Sequence, residues 1–405
     1  MFSVYSGMSK EAKYLILAAL LPSVAYGMFY TDISYFLTYV QGVSAVFMGL
    51  VMTVMGISTF VASILLGTVA DIYGRKKMLI AGNVLASVIL AVFAVTTDPI
   101  LLLAAAILEG ISEGAALASS SALLAEKAGN EMRNSVFSFY AFAQSIAWGA
   151  GSLSVLGVAV FELGSFTDRE SHVLLYILLA ILSLSSTFIM LKVNESKRLK
   201  RKSAGLRDLF PRKSRAVLTK YVITGAIVAF GAGMVVPIMT YWFRLQYGIS
   251  DKISSPILAV SSILIGAATL LSPLAAKRFG LVKAVVITQA ASTFFMFATP
   301  LSPNYILAGI VYSMRALLMN MASPLSQSMI MGLVAEDERG AASGISGALW
   351  RLPNALSTSI GSSLMFIGLL SEPFFIAGLL YVISITLFWY YFRETKMPEE
   401  KGYSP

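Results

Sequence analysis

The stretch Gly67–Lys77, which reads GTVADIYGRKK, separates two long apolar segments of the chain. Gly74 permits a tight reversal of the backbone, because glycine adopts positive φ angles at little steric cost. Arg75 and the two lysines that follow it place three cations where the chain turns back into apolar sequence. Basic residues are enriched in the short cytoplasmic loops of membrane proteins. The stretch therefore predicts a cytoplasmic turn between two membrane-spanning helices.

The composition of the whole chain supports this interpretation. Hydrophobic residues make up 57% of the 405 residues and charged residues 13%, which is too apolar for a soluble protein of this size. Apolar runs of about 20 residues recur along the chain, and each is long enough to cross a bilayer as a helix. Twelve spans are predicted, at residues 12–39, 46–69, 77–97, 99–125, 134–161, 173–193, 217–246, 255–276, 281–300, 304–334, 341–370 and 372–392.

The charges of the chain follow the order of these spans. Basic residues precede span 1 and follow spans 2, 4, 10 and 12. The connections on the other side of the membrane, which follow the odd-numbered spans, carry no comparable basic excess. Both termini are therefore predicted to be cytoplasmic, in a multi-pass protein of the cell membrane. The net charge of +9 reflects this topology, so no nucleic-acid partner is expected.

The cysteine and histidine content limits the chemistry that the chain can perform. The sequence has no cysteine and one histidine, His172. This excludes disulfides, thiolate metal sites and a zinc cluster built from histidine and cysteine. His172 lies at an outer helix end and is expected on the surface. Neither an enzymatic activity nor a cofactor nor a metal is expected.

A basic segment divides the chain into two halves. We predict an N-terminal six-helix bundle at residues 1–193, a basic cytoplasmic linker at 194–216 and a C-terminal six-helix bundle at 217–405. The charge of the linker is attributed to membrane orientation, and binding of anionic lipid is the alternative.

The two halves are copies of one another. A shift of 206 residues places Gly27 on Gly233 and Gly74 on Gly280. Such a parallel repeat predicts an all-α membrane protein in which two six-helix bundles are related by a pseudo-twofold axis. The second copy of the charged stretch has lost the aspartate and the first arginine, so it is not an equivalent motif.

Charged residues inside the predicted spans mark candidate functional positions, because a charge in the hydrocarbon costs about 2.5 kcal/mol or more. Burial disfavours the ionised form of a carboxyl group, so buried acids can carry protons. The candidate proton-coupling residues are Asp32, Glu109 and Glu113. For Asp32, an exposed position at the outer rim is the alternative.

Glu109 and Glu113 are four residues apart and are predicted to line a central cavity from one helical face. The internal repeat aligns Glu109 with Arg315, at an equivalent depth in the other half. We expect either a direct or substrate-gated pair between these two residues, or two charges that are each satisfied within their own bundle.

Two kinds of substrate contact are predicted. Arginines could bind an anionic group in a bidentate manner, whereas a lipophilic cation would prefer the glutamates and neighbouring aromatic rings. The candidate substrate-binding residues are Arg315, Arg351, Tyr35, Tyr140, Trp148, Tyr241 and Asn320.

The stretch Gly67–Lys77 resembles the loop signature between helices 2 and 3 of the major facilitator superfamily, approximately G-x-x-x-D-x-x-G-R followed by two basic residues. The resemblance implies the twelve-helix major facilitator fold. Within the family, the chain is most similar to drug and metabolite:proton antiporters, a resemblance carried by Gly67–Lys77, Glu126–Arg133 and the glycines of span 5. Two departures from that group are the missing Gly-Pro pair in span 5 and Ala106, which stands near the arginine of the fourth-helix signature.

The family resemblance also implies a cytoplasmic gate. In the family, the aspartate of the signature caps a neighbouring helix and pairs with an arginine at the start of helix 5 or 11, which closes the cytoplasmic side. The candidate gate residues are Gly67, Asp71, Gly74, Arg75, Arg133 and Arg339.

Together these features imply a secondary active transporter that works by rocker-switch alternating access and exports a small organic or amphipathic compound in a proton-coupled manner. A symporter or uniporter for sugars or organic anions is the alternative, which the two arginines favour. A receptor or scaffold is a third interpretation. The expected partners are a small-molecule substrate, protons as the coupling ion and membrane lipid, and the protein is expected to act as a monomer.

Overall fold

The computed structural model describes residues 7–194, 213–335 and 338–394, which are almost entirely helical. The helices are α1 (Lys10–Tyr35), α2 (Ala45–Tyr73), α3 (Arg75–Val95), α4 (Pro99–Ser154), α5 (Leu156–Leu163), α6 (Asp168–Leu191), α7 (Arg215–Gly233), α8 (Met239–Tyr247), α9 (Asp251–Phe279), α10 (Leu281–Ala298), α11 (Tyr305–Leu333), α12 (Arg339–Phe366) and α13 (Glu372–Phe392). A π-helical turn, Phe36–Val40, extends α1. Within the described residues, 11 helical segments are long and apolar enough to cross a membrane, and α12, with 28 residues, adds another long helix.

The helices differ in continuity from the predicted spans at two places, although helical segments long enough to cross a membrane lie at the predicted positions. The connection predicted between spans 4 and 5 is helical, because α4 continues without a break over 56 residues. Residues 126–135 contain no proline, so nothing in the sequence interrupts the backbone hydrogen bonds of the helix there. Conversely, the predicted seventh span is divided into α7 and α8 by a 3-10 turn that contains Pro237. Proline cannot donate a backbone hydrogen bond, which accounts for the break.

The internal repeat is visible in matching contacts of the two halves. Ser152 donates a hydrogen bond to the carbonyl oxygen of Gly27 at 3.3 Å, and Thr358 donates one to the carbonyl oxygen of Gly233 at 3.0 Å. Gly233 follows Gly27 by 206 positions, and Thr358 follows Ser152 by the same number. The two halves therefore pack their first and fifth spans in the same way.

The turn predicted at Gly74 is confirmed. Gly74 has a φ angle of 114° between α2 and α3, and Gly280, its counterpart in the repeat, has a φ angle of 77° between α9 and α10. These angles lie in the region that favours glycine, so both copies of the turn depend on a residue without a Cβ atom.

Helices α1–α6 pack against one another, as do helices α7–α13. The halves meet mainly where α2 packs on α12 and where the second part of α4 packs on α9. This is the two-bundle arrangement that the repeat predicts. The predicted linker at 194–216 falls largely outside the described residues, and the proposed domain boundaries stay predictions.

Several contacts between the halves lie on one side of the protein. We call this side the outer side and define it as the side on which α2 begins and α6 begins. Near it, Thr53 on α2 donates a hydrogen bond to the carbonyl oxygen of Ala355 on α12 at 2.7 Å. Farther out, Lys252 on α9 pairs with Glu162 at 2.5 Å and Asp168 at 3.1 Å. The outer side is therefore closed.

A cysteine pair can test this closure, because the chain has no cysteine of its own. The hydroxyl oxygens of Thr53 and Ser359 are 2.5 Å apart across the α2–α12 contact. We expect the variant Thr53→Cys/Ser359→Cys to lose both free thiols on mild oxidation, as measured by maleimide labelling and mass spectrometry. The control combines Thr53→Cys with Leu356→Cys, since Leu356 on the same helix is exposed. Thiols that persist in the first variant would contradict the closure.

Candidate functional site

An ion pair joins the two halves near the centres of the predicted fourth and eleventh spans. Nη1 of Arg351 on α12 donates to Oε1 of Glu113 on α4 over 2.8 Å. The other carboxylate oxygen of Glu113 accepts from the Tyr30 hydroxyl at 3.0 Å and from the Thr59 hydroxyl at 3.1 Å. The carboxylate is thus bound by α1, α2 and α12 together. The Arg351 side chain is 32% exposed and that of Glu113 is 17% exposed, so a ligand can reach the pair.

A row of aromatic rings lies beside this ion pair. The rings of Tyr30 and Trp148 stack at 5.6 Å with an interplanar angle of 16°, and the rings of Tyr26 and Tyr30 stack at 6.1 Å with an angle of 26°. Gln144 donates a hydrogen bond to the Tyr140 hydroxyl at 2.9 Å. Four-residue spacing places these side chains on single faces of α1 and α4. We call Tyr26, Tyr30 and Trp148 the aromatic shelf.

Glu109 occupies a different position from Glu113. It is 3% exposed and faces a small cavity inside the N-terminal bundle. Within the described residues, its Oε1 atom has no hydrogen-bond partner. Glu109 and Glu113 lie on the same side of α4, but the offset of about 40° between residues four apart in a helix turns Glu109 toward α3 and α6, whose residues line this cavity. The prediction that both glutamates line the central cavity is therefore corrected. The cavity walls are Ala25, Tyr26, Phe29, Ala86, Leu90, Phe93 and Ser183.

Arg315 lies inside the C-terminal bundle. It is 4% exposed, its Nη2 atom donates to the Tyr381 hydroxyl on α13 at 2.9 Å, and its guanidinium lies 5.5 Å from the Tyr312 ring. Arg315 and Glu109 thus face groups of their own bundles and do not form the pair that the repeat suggested. The ion pair between the halves is formed by Glu113 and Arg351 instead.

Asp32 and His172 lie in the outer contact between the halves. Both are fully buried, so the expected surface position of His172 and the exposed alternative for Asp32 are wrong. The Tyr176 hydroxyl donates to Asp32 at 3.1 Å, and His172 lies 3.0 Å from Asp251 of the other half. The reason is that α9 begins with Asp251 against the outer ends of α1 and α6.

Three other predicted substrate contacts lie apart from the ion pair. The Tyr39 ring is 5.2 Å from Tyr35 and 6.1 Å from Tyr241, which places these two candidates in the outer layer. Asn320 donates its side-chain hydrogen bond to the carbonyl oxygen of Ala316 in its own helix at 2.8 Å. Of the predicted aromatic contacts, Trp148 belongs to the aromatic shelf, and Tyr140 lies along the same face of α4.

The cytoplasmic gate stays a prediction. Gly74 forms the turn between α2 and α3, and Arg75 begins α3. The other four candidates have side chains outside the described part of the structure, and they are Gly67, Asp71, Arg133 and Arg339.

The sequence interpretation missed Tyr30 and Thr59, which hold Glu113, and Asp251, which meets His172. The spacing of Tyr26 and Tyr30 carries a usable signal, because two tyrosines four residues apart form one helical face as the two glutamates do. Thr59 and Asp251 have no comparable pattern around them.

A mid-membrane charged site between two related helical bundles defines a secondary transporter rather than an enzyme. The sequence profile of the Major Facilitator Superfamily matches residues 15–358 and 221–404, and the chain belongs to this family. It is 21% identical over 378 residues to the uncharacterized membrane protein YJR124C of Saccharomyces cerevisiae (strain ATCC 204508 / S288c), an alignment that covers 80% of this chain and 84% of the relative.

Solved structures share the fold. The nucleoside transporter NupG has a TM-score of 0.75 at 16% identity, over 96% of this chain and 100% of NupG. A bacterial homologue of the human lysosomal transporter Spinster has a TM-score of 0.77 at 13% identity, over 95% of this chain and 97% of that chain. The human organic anion transporter MFSD10 has a TM-score of 0.64 at 17% identity, over 94% of this chain and 100% of that chain.

Proposed function

We propose that this transporter exports a small organic or amphipathic compound in a proton-coupled manner, by rocker-switch alternating access around the Glu113–Arg351 pair. The observation that carries the proposal is the carboxylate of Glu113, which is bound by both halves and still partly open to a ligand. We place the protein in the cell membrane as a monomer with both termini in the cytoplasm.

Glu113 couples the substrate to a proton because its charge holds the halves together. When Glu113 is ionised it binds Arg351, and when it is protonated this attraction is lost. The titratable and charged groups that face Glu113 are Arg351 from α12, Tyr26 and Tyr30 from α1, and Glu109 from its own helix. A cationic substrate and a proton therefore compete for one carboxylate, which is the requirement for exchange of the two.

The aromatic shelf suits an amphipathic cation with a flat or bulky apolar body. Tyrosine and tryptophan rings attract a cation placed over their faces by about 0.5–2 kcal/mol, and more strongly where water is excluded. Trp148 and Tyr30 stack next to Glu113, so one ligand can contact the rings and the carboxylate together.

Thermal-shift measurements on the purified protein test this function with tetraphenylphosphonium as the probe. We expect a larger stabilisation at about pH 8 than at about pH 6, because a transporter that exchanges a cation for protons binds the two in competition. The shift should disappear in Glu113→Gln and persist in Glu162→Gln, a matched change at the outer surface. Cells that express the wild type should also accumulate less labelled probe than cells that express Glu113→Gln. A shift that is independent of pH and unchanged in Glu113→Gln would overturn the proposal.

An organic-anion or sugar symporter is the second candidate, and the greater exposure of Arg351 favours it. In that mechanism the anion enters together with a proton, and Arg351 binds the anion. Benzoate would then stabilise the protein more at about pH 6 than at about pH 8, which is the opposite of the cation result. Stabilisation by glucose at both pH values would indicate a sugar transporter that does not use Glu113.

A further inference from the structure

We propose that Asp32, His172 and Asp251 form a binding site for a divalent transition-metal ion, such as zinc, at the outer contact between the two halves. The single histidine of the sequence excludes a cluster of histidine and cysteine ligands. The fold nevertheless brings one carboxylate from each half to this imidazole, which sequence spacing does not reveal.

The three side chains have the geometry of metal ligands. Nε2 of His172 is 3.0 Å from Oδ2 of Asp251 and 3.9 Å from Oδ1 of Asp32, and one ligand atom from each residue lies within 4.8 Å of the others. Nitrogen and oxygen ligands bind zinc at about 2.0–2.2 Å, so neighbouring ligands of one tetrahedral ion lie roughly 3–4 Å apart. One histidine and two carboxylates leave a fourth position for water.

The imidazole is oriented as in known metal sites. Its Nδ1 atom lies 2.7 Å from the carbonyl oxygen of Asp168, and a carbonyl can only accept, so Nδ1 carries the hydrogen. This directs Nε2 toward the two carboxylates. A metal-binding histidine usually donates its other N–H to a carbonyl or carboxylate in this way. The Tyr176 hydroxyl fixes Asp32 in the same manner, through a hydrogen bond of 3.1 Å.

The unsatisfied atoms of the cluster indicate a cation. Asp32, His172 and Asp251 are all 0% exposed, and within the described residues Oδ1 of Asp32 and Oδ1 of Asp251 have no hydrogen-bond partner. Buried polar atoms without a partner are rare, and buried carboxylates need pairing or a metal. A proton on Nε2 would leave the cluster with a net negative charge. A dication neutralises both carboxylates next to a neutral imidazole.

The surroundings of the site favour retention of a bound ion. The rings of Phe36 and Tyr35 stack on His172 at 5.5 Å and 6.5 Å and shield it from solvent. Lys252, the cation next to Asp251 in sequence, is directed toward Glu162 and Asp168 and does not neutralise the cluster.

The site depends on the conformation of the transporter. Asp32 on α1 and His172 on α6 belong to the first half, and Asp251 on α9 belongs to the second. A bound ion therefore stabilises the state in which the outer side is closed. By linkage, opening of the outer side must weaken metal binding by the same factor.

Zinc binding to the chelator-treated protein in detergent is the test. We expect one zinc ion per chain and a higher melting temperature with zinc. His172→Asn and Asp251→Asn should each weaken zinc affinity at least about tenfold. The matched control Asp98→Asn should not, since Asp98 lies at the exposed start of α4, where its side chain accepts hydrogen bonds from the backbone of Ile100 and Leu101. Cobalt in place of zinc should give the visible absorption of a site with nitrogen and oxygen ligands in the wild type and lose it in His172→Asn.

A second measurement remains informative if a cluster variant is unstable. Thr240, 2% exposed, donates to the carbonyl oxygen of Thr31 across the closed outer contact, so a Thr240→Cys probe is alkylated only when that contact opens. Zinc should slow alkylation of this probe at least severalfold, and should have no effect when His172→Asn is added. Equal zinc stabilisation of the wild type and His172→Asn, or no zinc effect on the wild type up to millimolar concentration, would overturn the proposal.

Discussion

Replacement of Glu113 by glutamine is expected to lower the stability of the protein by about 2–3 kcal/mol, more than replacement of Arg351 by glutamine. In Glu113→Gln the guanidinium of Arg351 loses its carboxylate partner and cannot neutralise itself, because arginine stays protonated. In Arg351→Gln the carboxyl of Glu113 can take up a proton instead. The expected loss is below that of a fully buried pair because Glu113 and Arg351 are 17% and 32% exposed.

Thermal unfolding of the wild type, the two single variants and the double variant over a range of pH measures this asymmetry. The Arg351→Gln variant should lose stability as the pH rises, because the carboxyl of Glu113, which has lost its partner, is then forced to ionise. The stability of Glu113→Gln should change little over the same range. The difference between the two variants therefore narrows at high pH. The double variant should recover part of the loss, since two neutral amides replace the charges. Equal losses for both single variants at every pH would show that the ion pair is only a surface contact.

The twelve-helix fold follows from features that the sequence states directly. Long apolar runs define the spans, and the 206-residue repeat relates the halves. The turn at Gly74 can be predicted because it needs a positive φ angle, and the structure gives it 114°. The break at Pro237 was missed because the apolar run continues through it. Hydropathy reports burial in lipid, whereas the break depends on one missing backbone donor.

The rotation of each helix is harder to derive. The repeat places Glu109 and Arg315 at the same depth, yet each faces its own bundle, whereas Glu113 and Arg351 meet between the bundles. One residue changes the direction of a side chain by about 100°, so an error of one position decides which surface it faces.

Contacts between the halves are harder still to predict. His172 and Asp251 are 79 residues apart and meet only because the two bundles pack against each other on the outer side. No local pattern around Asp251 encodes that placement, since its sequence suits an ordinary helix start. The cluster became visible only with the arrangement of α1, α6 and α9.

The second large effect is expected at Gly233, where alanine should lower stability by about 3 kcal/mol. An added Cβ atom would overlap the backbone oxygen of Asn354 on α12, and a backbone atom cannot rotate away as a flexible side chain can. A shift of α12 would also move Arg351, one turn earlier on the same helix, and so disturb the ion pair with Glu113. The melting temperature and the monodisperse fraction in size-exclusion chromatography measure the effect.

Gly225→Ala on the same helix is the matched control. A Cβ atom at Gly225 meets nothing within 4 Å, so alanine there should be neutral or stabilise α7 by up to about 1 kcal/mol. Gly27 is the counterpart of Gly233 in the first half, and a Cβ atom there would overlap the backbone of Trp148. Gly27→Ala should therefore lower stability about as much as Gly233→Ala. If Gly233→Ala proved as stable as Gly225→Ala, α7 and α12 would not cross closely enough to fix Arg351, and the position of the central ion pair would need another cause.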